Sequence, residues 1–200
     1  MSYNKELIAG KLRRWERYLL RFRLPGWEEI PNMGLYMEQV VDLLKEYLDY
    51  MPPELKEEQV VTGAAINNYV RRKLLPSPRR KRYYRVHIAY LIMICTLKQS
   101  LNMSMIQVLL PDGEDEAEVR TAYESYAARH NMAARYFVEQ VRQASAQILD
   151  HEESTELTVS NAEELICSSA VVGGFARLLA EKLILLNGRT LADGGSVEVE

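Results

Sequence analysis

Thr62-Gly63-Ala64-Ala65-Ile66-Asn67-Asn68-Tyr69-Val70-Arg71-Arg72-Lys73-Leu74-Leu75-Pro76 is the stretch that decides how this chain folds. Thr62 is a good helix N-cap, and Ile66, Val70 and Leu74 recur every four residues. That spacing predicts a helix from Gly63 to Lys73 with one side on a core. Asn67, Asn68, Arg71 and Arg72 fall around the other side, where Asn67/Arg71 and Asn68/Arg72 are i,i+4 neighbours. Asparagine pairs with adenine and arginine with guanine in a DNA major groove, so this face suits base or phosphate contact. A merely solvated polar face is the competing reading. Gly63, Ala64 and Ala65 are small enough to let the helix N-terminus approach a surface. Pro76-Ser77-Pro78 ends the helix.

Next comes Arg79-Arg80-Lys81-Arg82-Tyr83-Tyr84, a short basic segment suited to a hairpin or extended loop. It lies within a run of 53 residues, between Glu58 and Asp112, that contains no acid and nine basic residues. Eight of the nine fall between Arg71 and Arg85, interleaved with Tyr69, Tyr83 and Tyr84. An acid-free basic stripe is what a phosphate backbone requires of its partner. The Arg79–Arg82 run is expected to touch phosphate or minor groove, against the alternative of a charged loop. Tyr69 is expected to be half-buried with its hydroxyl free to reach a phosphate. One of Tyr83 and Tyr84 is expected to join the core. The asymmetry extends to the whole chain: residues 1–100 hold 18 Lys+Arg against 11 Asp+Glu, and residues 101–200 hold 7 against 17. Such a split fits a basic binding half and an acidic assembly half.

Amphipathic periodicity predicts helices over Lys5–Phe22, Leu35–Met51, Arg85–Ser100 and Ser104–Leu110, punctuated by Leu24-Pro25-Gly26, Pro52-Pro53 and Asn102-Met103-Ser104. Pro111-Asp112-Gly113 marks a boundary. A long helix, Asp115–Leu149, follows with acids in its first turn, favourable at the positive end of the helix dipole. Asn161 with Glu164 forms a capping-box pattern before a final helix that is apolar nearly all round over Leu165–Leu186. The expected organisation is an N-terminal helix (1–24), a DNA-binding domain (25–110), a C-terminal helical region for dimerisation or effector binding (114–190) and a tail (191–200).

Several classes of function lack support. The three histidines, His87, His130 and His151, have no Cys or His at ligand spacing, so no metal site is expected. No nucleophile elbow or phosphate loop stands out, so neither catalytic residues nor a cofactor are expected. Arg177, Glu181 and Lys182 interrupt the apolar Leu165–Leu186 span and argue against a membrane helix. Cys95 and Cys167 lie inside apolar helical patterns, as reduced thiols of a cytoplasmic protein do.

The Ile66–Pro76 segment also resembles the second helix and exit of the MerR-type winged helix-turn-helix, in which an apolar residue and a tyrosine precede a Leu-Leu-x-Pro exit. Arg79–Tyr84 then stands where that family has its wing, and Met105-Ile106-Gln107-Val108-Leu109-Leu110 where it has its closing helix. Two departures are visible: the tip lacks a glycine, and Asn67 stands where that family commonly has arginine. Leu24-Pro25-Gly26-Trp27-Glu28-Glu29-Ile30-Pro31, Leu35-Tyr36-Met37-Glu38-Gln39-Val40 and Ile66-Asn67-Asn68-Tyr69-Val70 resemble a bacterial family, found mainly in Gram-positive species, that is catalogued as a domain of unknown function.

The resemblance implies an all-α protein: a MerR-like winged helix-turn-helix with a small β wing, plus a C-terminal helical pair. The implied function is sequence-specific binding of double-stranded DNA in transcriptional control. Thr62, Asn67, Asn68, Tyr69, Arg71, Arg72 and Lys73 would act from the helix, and Arg79, Arg80, Lys81, Arg82 and Tyr83 from the wing. The alternative is a non-enzymatic protein-interaction adaptor on the same scaffold. The surplus apolar surface of Leu165–Leu186 calls for a homodimer through Val172, Phe175, Leu179 and Leu183, with Gly173-Gly174 allowing close helix crossing. A small-molecule effector of the C-terminal helices stays open.

Overall fold

Arg85 to Leu97 reads Arg-Val-His-Ile-Ala-Tyr-Leu-Ile-Met-Ile-Cys-Thr-Leu, apolar on every side, and such a helix is stable only when surrounded. In the computed structural model of the chain it is the central helix, and every residue of it except Val86 is buried. The structure describes residues 5–50, 61–144 and 170–179, together with Cys167, Leu186 and Thr190.

In chain order the elements are α1 (Lys5–Arg21), a 3-10 turn (Trp27–Glu29), α2 (Met37–Tyr47), α3 (Gly63–Arg71), α4 (Arg85–Leu97), α5 (Met103–Leu109) and α6 (Glu116–Ala144). Residues 170–179 form a further helix, α7. The described part is mostly helical, as expected. Helix α4 packs between α2 and α6; α1 lies along α6, and α3 lies on α2. One cluster of buried side chains runs from Trp15 to Leu178, passing without a break across the Pro111-Asp112-Gly113 turn.

Buried polar groups fix the order of the layers. Tyr123 of α6 donates to the Pro25 carbonyl (2.7 Å), and Asn131 Oδ1 accepts from the Leu24 amide (3.0 Å). These bonds hold the turn that ends α1 against α6. Thr96 of α4 bonds back to the Ile92 carbonyl (2.8 Å) and meets the Tyr126 hydroxyl of α6 (2.6 Å). Arg85 opens α4 and is buried: its Nε donates to the Ile30 carbonyl (2.8 Å) and its Nη1 pairs with Glu28 (2.8 Å), which also holds Arg120 of α6 (2.9 Å).

Among the described residues there is no β-strand, only two isolated antiparallel bridges, Leu35 with Tyr83 and Arg79 with Arg82. Leu35 and Tyr83 exchange both backbone bonds, at 2.8 and 2.9 Å. Gly34 permits that approach, because a Cβ there would sit 2.9 Å from Arg82 Cδ and 3.0 Å from the Tyr84 ring. The ends of α1, α3, α4 and α5 fall within a few residues of the sequence expectation, whereas α2 stops at Tyr47; α6 is described to Ala144, and the expected ends of the Leu165–Leu186 helix lie outside the described helical residues. The expected Asn161 cap and the 191–200 tail lie outside the described residues.

The environment of α7 differs from the sequence expectation in one respect. Phe175 is buried inside its own chain, stacked on Phe137 and edge-on to Tyr50 and His130. Gly174 faces the end of α4, where an added Cβ would lie 3.3 Å from Ser100 Oγ. Ser100 Oγ donates to the Ala170 carbonyl (2.7 Å) and Arg177 to Gln99 Oε1 (2.8 Å). The close approach that the glycines permit is therefore to α4. Val172 and Leu179 are half-buried, and Leu183 lies outside the described residues.

Candidate nucleic-acid interface

Thr62 caps α3 as expected: its Oγ1 accepts from the Ala65 amide (3.0 Å). Ile66 and Tyr69 anchor the helix in the core, Tyr69 more deeply than the half-burial expected of it. Burial pushes the Tyr69 hydroxyl up to about 12, so it stays protonated. Asn67, Arg71, Arg72 and Lys73 are exposed and Asn68 is half-buried. Arg71 donates to Asn68 Oδ1 (2.8 Å), so these two present themselves as one unit.

The helix ends two residues before the sequence expectation. Lys73 takes the left-handed conformation (φ 59), its amide bonds the Val70 carbonyl (3.0 Å) and the Leu74 amide bonds the Tyr69 carbonyl (2.9 Å). This is a Schellman motif, with lysine where glycine is the usual residue. Leu74 and Leu75 then plunge into the core.

The 79–82 segment is a two-residue turn. Arg79 and Arg82 exchange both backbone bonds at 3.0 Å, and the tip residues Arg80 and Lys81 both have positive φ, 51 and 64. Positive φ at both central positions marks the type I′ turn, which ordinarily recruits Asn-Gly. Lys73, Arg80 and Lys81 thus place cations where the backbone favours glycine.

The cations divide by what they already hold. Arg82 donates to the Gly34 carbonyl (3.2 Å) and the Tyr36 hydroxyl (2.9 Å) and lies 4.5 Å over the Tyr36 ring. Arg79 makes a long ion pair with Glu114 (3.5 Å). Arg85, counted in the basic stripe, is buried and held by the Ile30 carbonyl and Glu28. Arg72, Lys73, Arg80 and Lys81 are exposed and carry no ion pair among the described residues. Tyr83 is buried with an edge-on contact to His87, so it is the tyrosine of the pair that joins the core. The end of α3 and the turn flank a common point. Lys73, Ser77 and Glu114 line one groove of about 300 Å³, and Arg79, His87 and Glu114 line an adjacent cavity of about 120 Å³.

Sequence reasoning missed His87. Its Nδ1 accepts from the Tyr84 amide (3.0 Å) and its Nε2 faces the Ser77 carbonyl (3.2 Å). The available signal was position, because a side-chain acceptor three residues after an N-cap is the capping-box pattern. No group of three or more His, Cys, Asp or Glu side chains that could hold a metal occurs among the described residues, and no helix there is long and apolar enough to cross a membrane. Burial pushes the Cys95 thiol up to about 11, which leaves it a protonated core residue.

Fold and surface define a mostly helical protein with a basic helix end and a basic turn on either side of an acidic residue. The chain belongs to the family described as Domain of unknown function (DUF1836), whose family model matches residues 25–126. That match begins at the turn after α1 and ends within α6. No curated protein and no solved structure matches the chain.

Proposed function

We propose that this protein is a sequence-specific DNA-binding transcriptional regulator of the winged helix-turn-helix type. In this reading α2 and α3 are the helix-turn-helix pair, and the 79–82 turn is a wing reduced to its tip. Asn67, Asn68, Arg71 and Arg72 would read bases or phosphates, while Lys73, Arg79, Arg80 and Lys81 would hold phosphates. The observation that supports it best is the cost of the cation placement. Left-handed backbone costs an L-residue about 1–2 kcal/mol, and the chain accepts that at three exposed cations, Lys73, Arg80 and Lys81.

A two-half-site complex would need a homodimer, for which Val172 and Leu179 with Leu183 are the candidate contacts. Phe175 belongs to the protomer's own core and is not among them. A second reading, the protein-interaction adaptor, draws on α5, where Val108 is 83% and Met105 54% exposed.

Paired substitutions separate the two. Arg71→Ala/Arg72→Ala should weaken duplex binding and flatten sequence preference. Arg80→Ala/Lys81→Ala should weaken all duplexes alike and reduce the salt slope by roughly one for each phosphate that is no longer held. If neither pair changes affinity for any duplex, the DNA reading fails and the adaptor reading takes its place.

A further inference from the structure

We propose that His87 is the positioning residue of the basic turn: a neutral imidazole that ties the two ends of residues 77–84 together and releases them on protonation. This rests on the DNA reading above for its functional consequence, though the clasp itself does not. Its two partners fix the tautomer. The Tyr84 amide can only donate and the Ser77 carbonyl can only accept, so Nδ1 is the bare nitrogen and Nε2 carries the proton. One side chain on α4 thereby holds the backbone on both sides of Arg79–Arg82. The ring is 2% exposed, with the edge of Tyr83 against it at 5.7 Å.

A second proton cannot be accommodated in place. It would sit on Nδ1 and point at the Tyr84 N–H, donor against donor, and the N-cap amide of α4 would lose its acceptor. Burial is the main force holding the ring neutral and lowers its pKa. The charged groups around it act in opposite senses: Glu114, on the way into α6, favours the imidazolium, and Arg79 of the turn opposes it. Arg85 and Glu116 line the same cavity, and Arg85 is already committed to Glu28. Release is expected as pH falls below the ordinary imidazole range. His130, the other described histidine, is held down to about 4 by burial and stays neutral over that interval.

The consequence has an unusual sign. Added positive charge ordinarily tightens binding to the phosphate backbone. Here acid should weaken binding, because the turn loses its anchor. The test is the affinity of the full chain for a mixed-sequence duplex at pH 8 and pH 5 at constant salt. Wild type should lose affinity in acid, by up to about tenfold for each pH unit below the point at which His87 takes up its second proton. His87→Gln keeps an acceptor for the Tyr84 amide in the usual capping-box geometry and does not titrate, so its affinity should stay level. Wild-type binding that is level or tighter at pH 5, or a His87→Gln loss equal to that of wild type, overturns the proposal. Nitrogen NMR of the ring, with the exchange protection factor of the Tyr84 amide, reads the clasp without DNA. Loss of that protection as the ring titrates upholds the clasp even if no duplex binds, in which case the DNA reading alone fails. Protection that is indifferent to the protonation of His87 refutes the clasp.

Discussion

Replacing Arg80 with Asn and Lys81 with Gly should make the protein more stable and a poorer DNA binder at once. Both residues sit in left-handed backbone, with φ 51 and 64, inside a turn closed by two 3.0 Å bonds. The left-handed region costs an ordinary L-residue about 1–2 kcal/mol; Gly escapes that cost and Asn most of it. Gly also loses more backbone freedom on folding, so the expected net gain is about 1–2 kcal/mol. For a chain of 200 residues that is about 2–8 °C in melting temperature. Relief of repulsion among Arg79, Arg80, Lys81 and Arg82 is a rival source of the same gain. Arg80→Ala/Lys81→Ala separates them, because it removes the charges and keeps the backbone strain. Thermal melts and urea titrations of the three proteins are the assay. The reasoning is refuted if the Ala pair gains as much as Asn-Gly, or if Asn-Gly gains nothing.

Lys73→Gly should likewise stabilise, by about 0.5–1 kcal/mol, since Gly is the natural occupant of a Schellman C′ position; urea midpoints would show it, and a fall in midpoint would contradict the left-handed assignment. Acid should destabilise through His130, whose pKa falls to about 4 on burial against about 6.5 when unfolded. Its stabilising contribution is complete above about pH 6.5 and is lost as pH falls towards 4, amounting to about 3 kcal/mol. His130→Phe, placed among Phe22, Tyr50, Tyr126 and Phe175, gives up the contact with Asn131 but no Nδ1 partner, and should remove that part of the pH dependence; an unchanged pH profile would count against it. Phe175→Ala should cost about 3–5 kcal/mol, seen as a lower urea midpoint, whereas a wild-type midpoint with altered oligomeric mass would return Phe175 to a subunit interface.

The helices are legible in the sequence because their signals are local. Thr62 announces the start of α3, and the unbroken apolar run after Arg85 announces a buried α4. The turn at 79–82 is harder: its geometry asks for Asn-Gly, and Arg-Lys carries no turn signal. Basic charge is visible as charge, but not which cations remain available. Arg85 and Arg82 are taken up by the Ile30 and Gly34 carbonyls, partners 55 and 48 residues away in sequence. No periodicity reveals contacts of that range. The same holds for α7: its apolar surplus is visible, but not that Tyr50, His130 and Phe137 of the same chain cover Phe175. His87 looks like a lone histidine because both its partners are backbone atoms, which have no identity in a sequence.

DNA recognition is tested most directly by the salt dependence of duplex binding by the wild-type chain. Six cations, Arg71, Arg72, Lys73, Arg79, Arg80 and Lys81, are exposed, and in the proposed reading each would meet a phosphate. The logarithm of affinity should then fall with that of salt with a slope of about −5, and affinity should drop roughly a thousandfold between 50 and 200 mM. Absence of measurable duplex binding at 50 mM salt, or binding with no salt dependence, would contradict it.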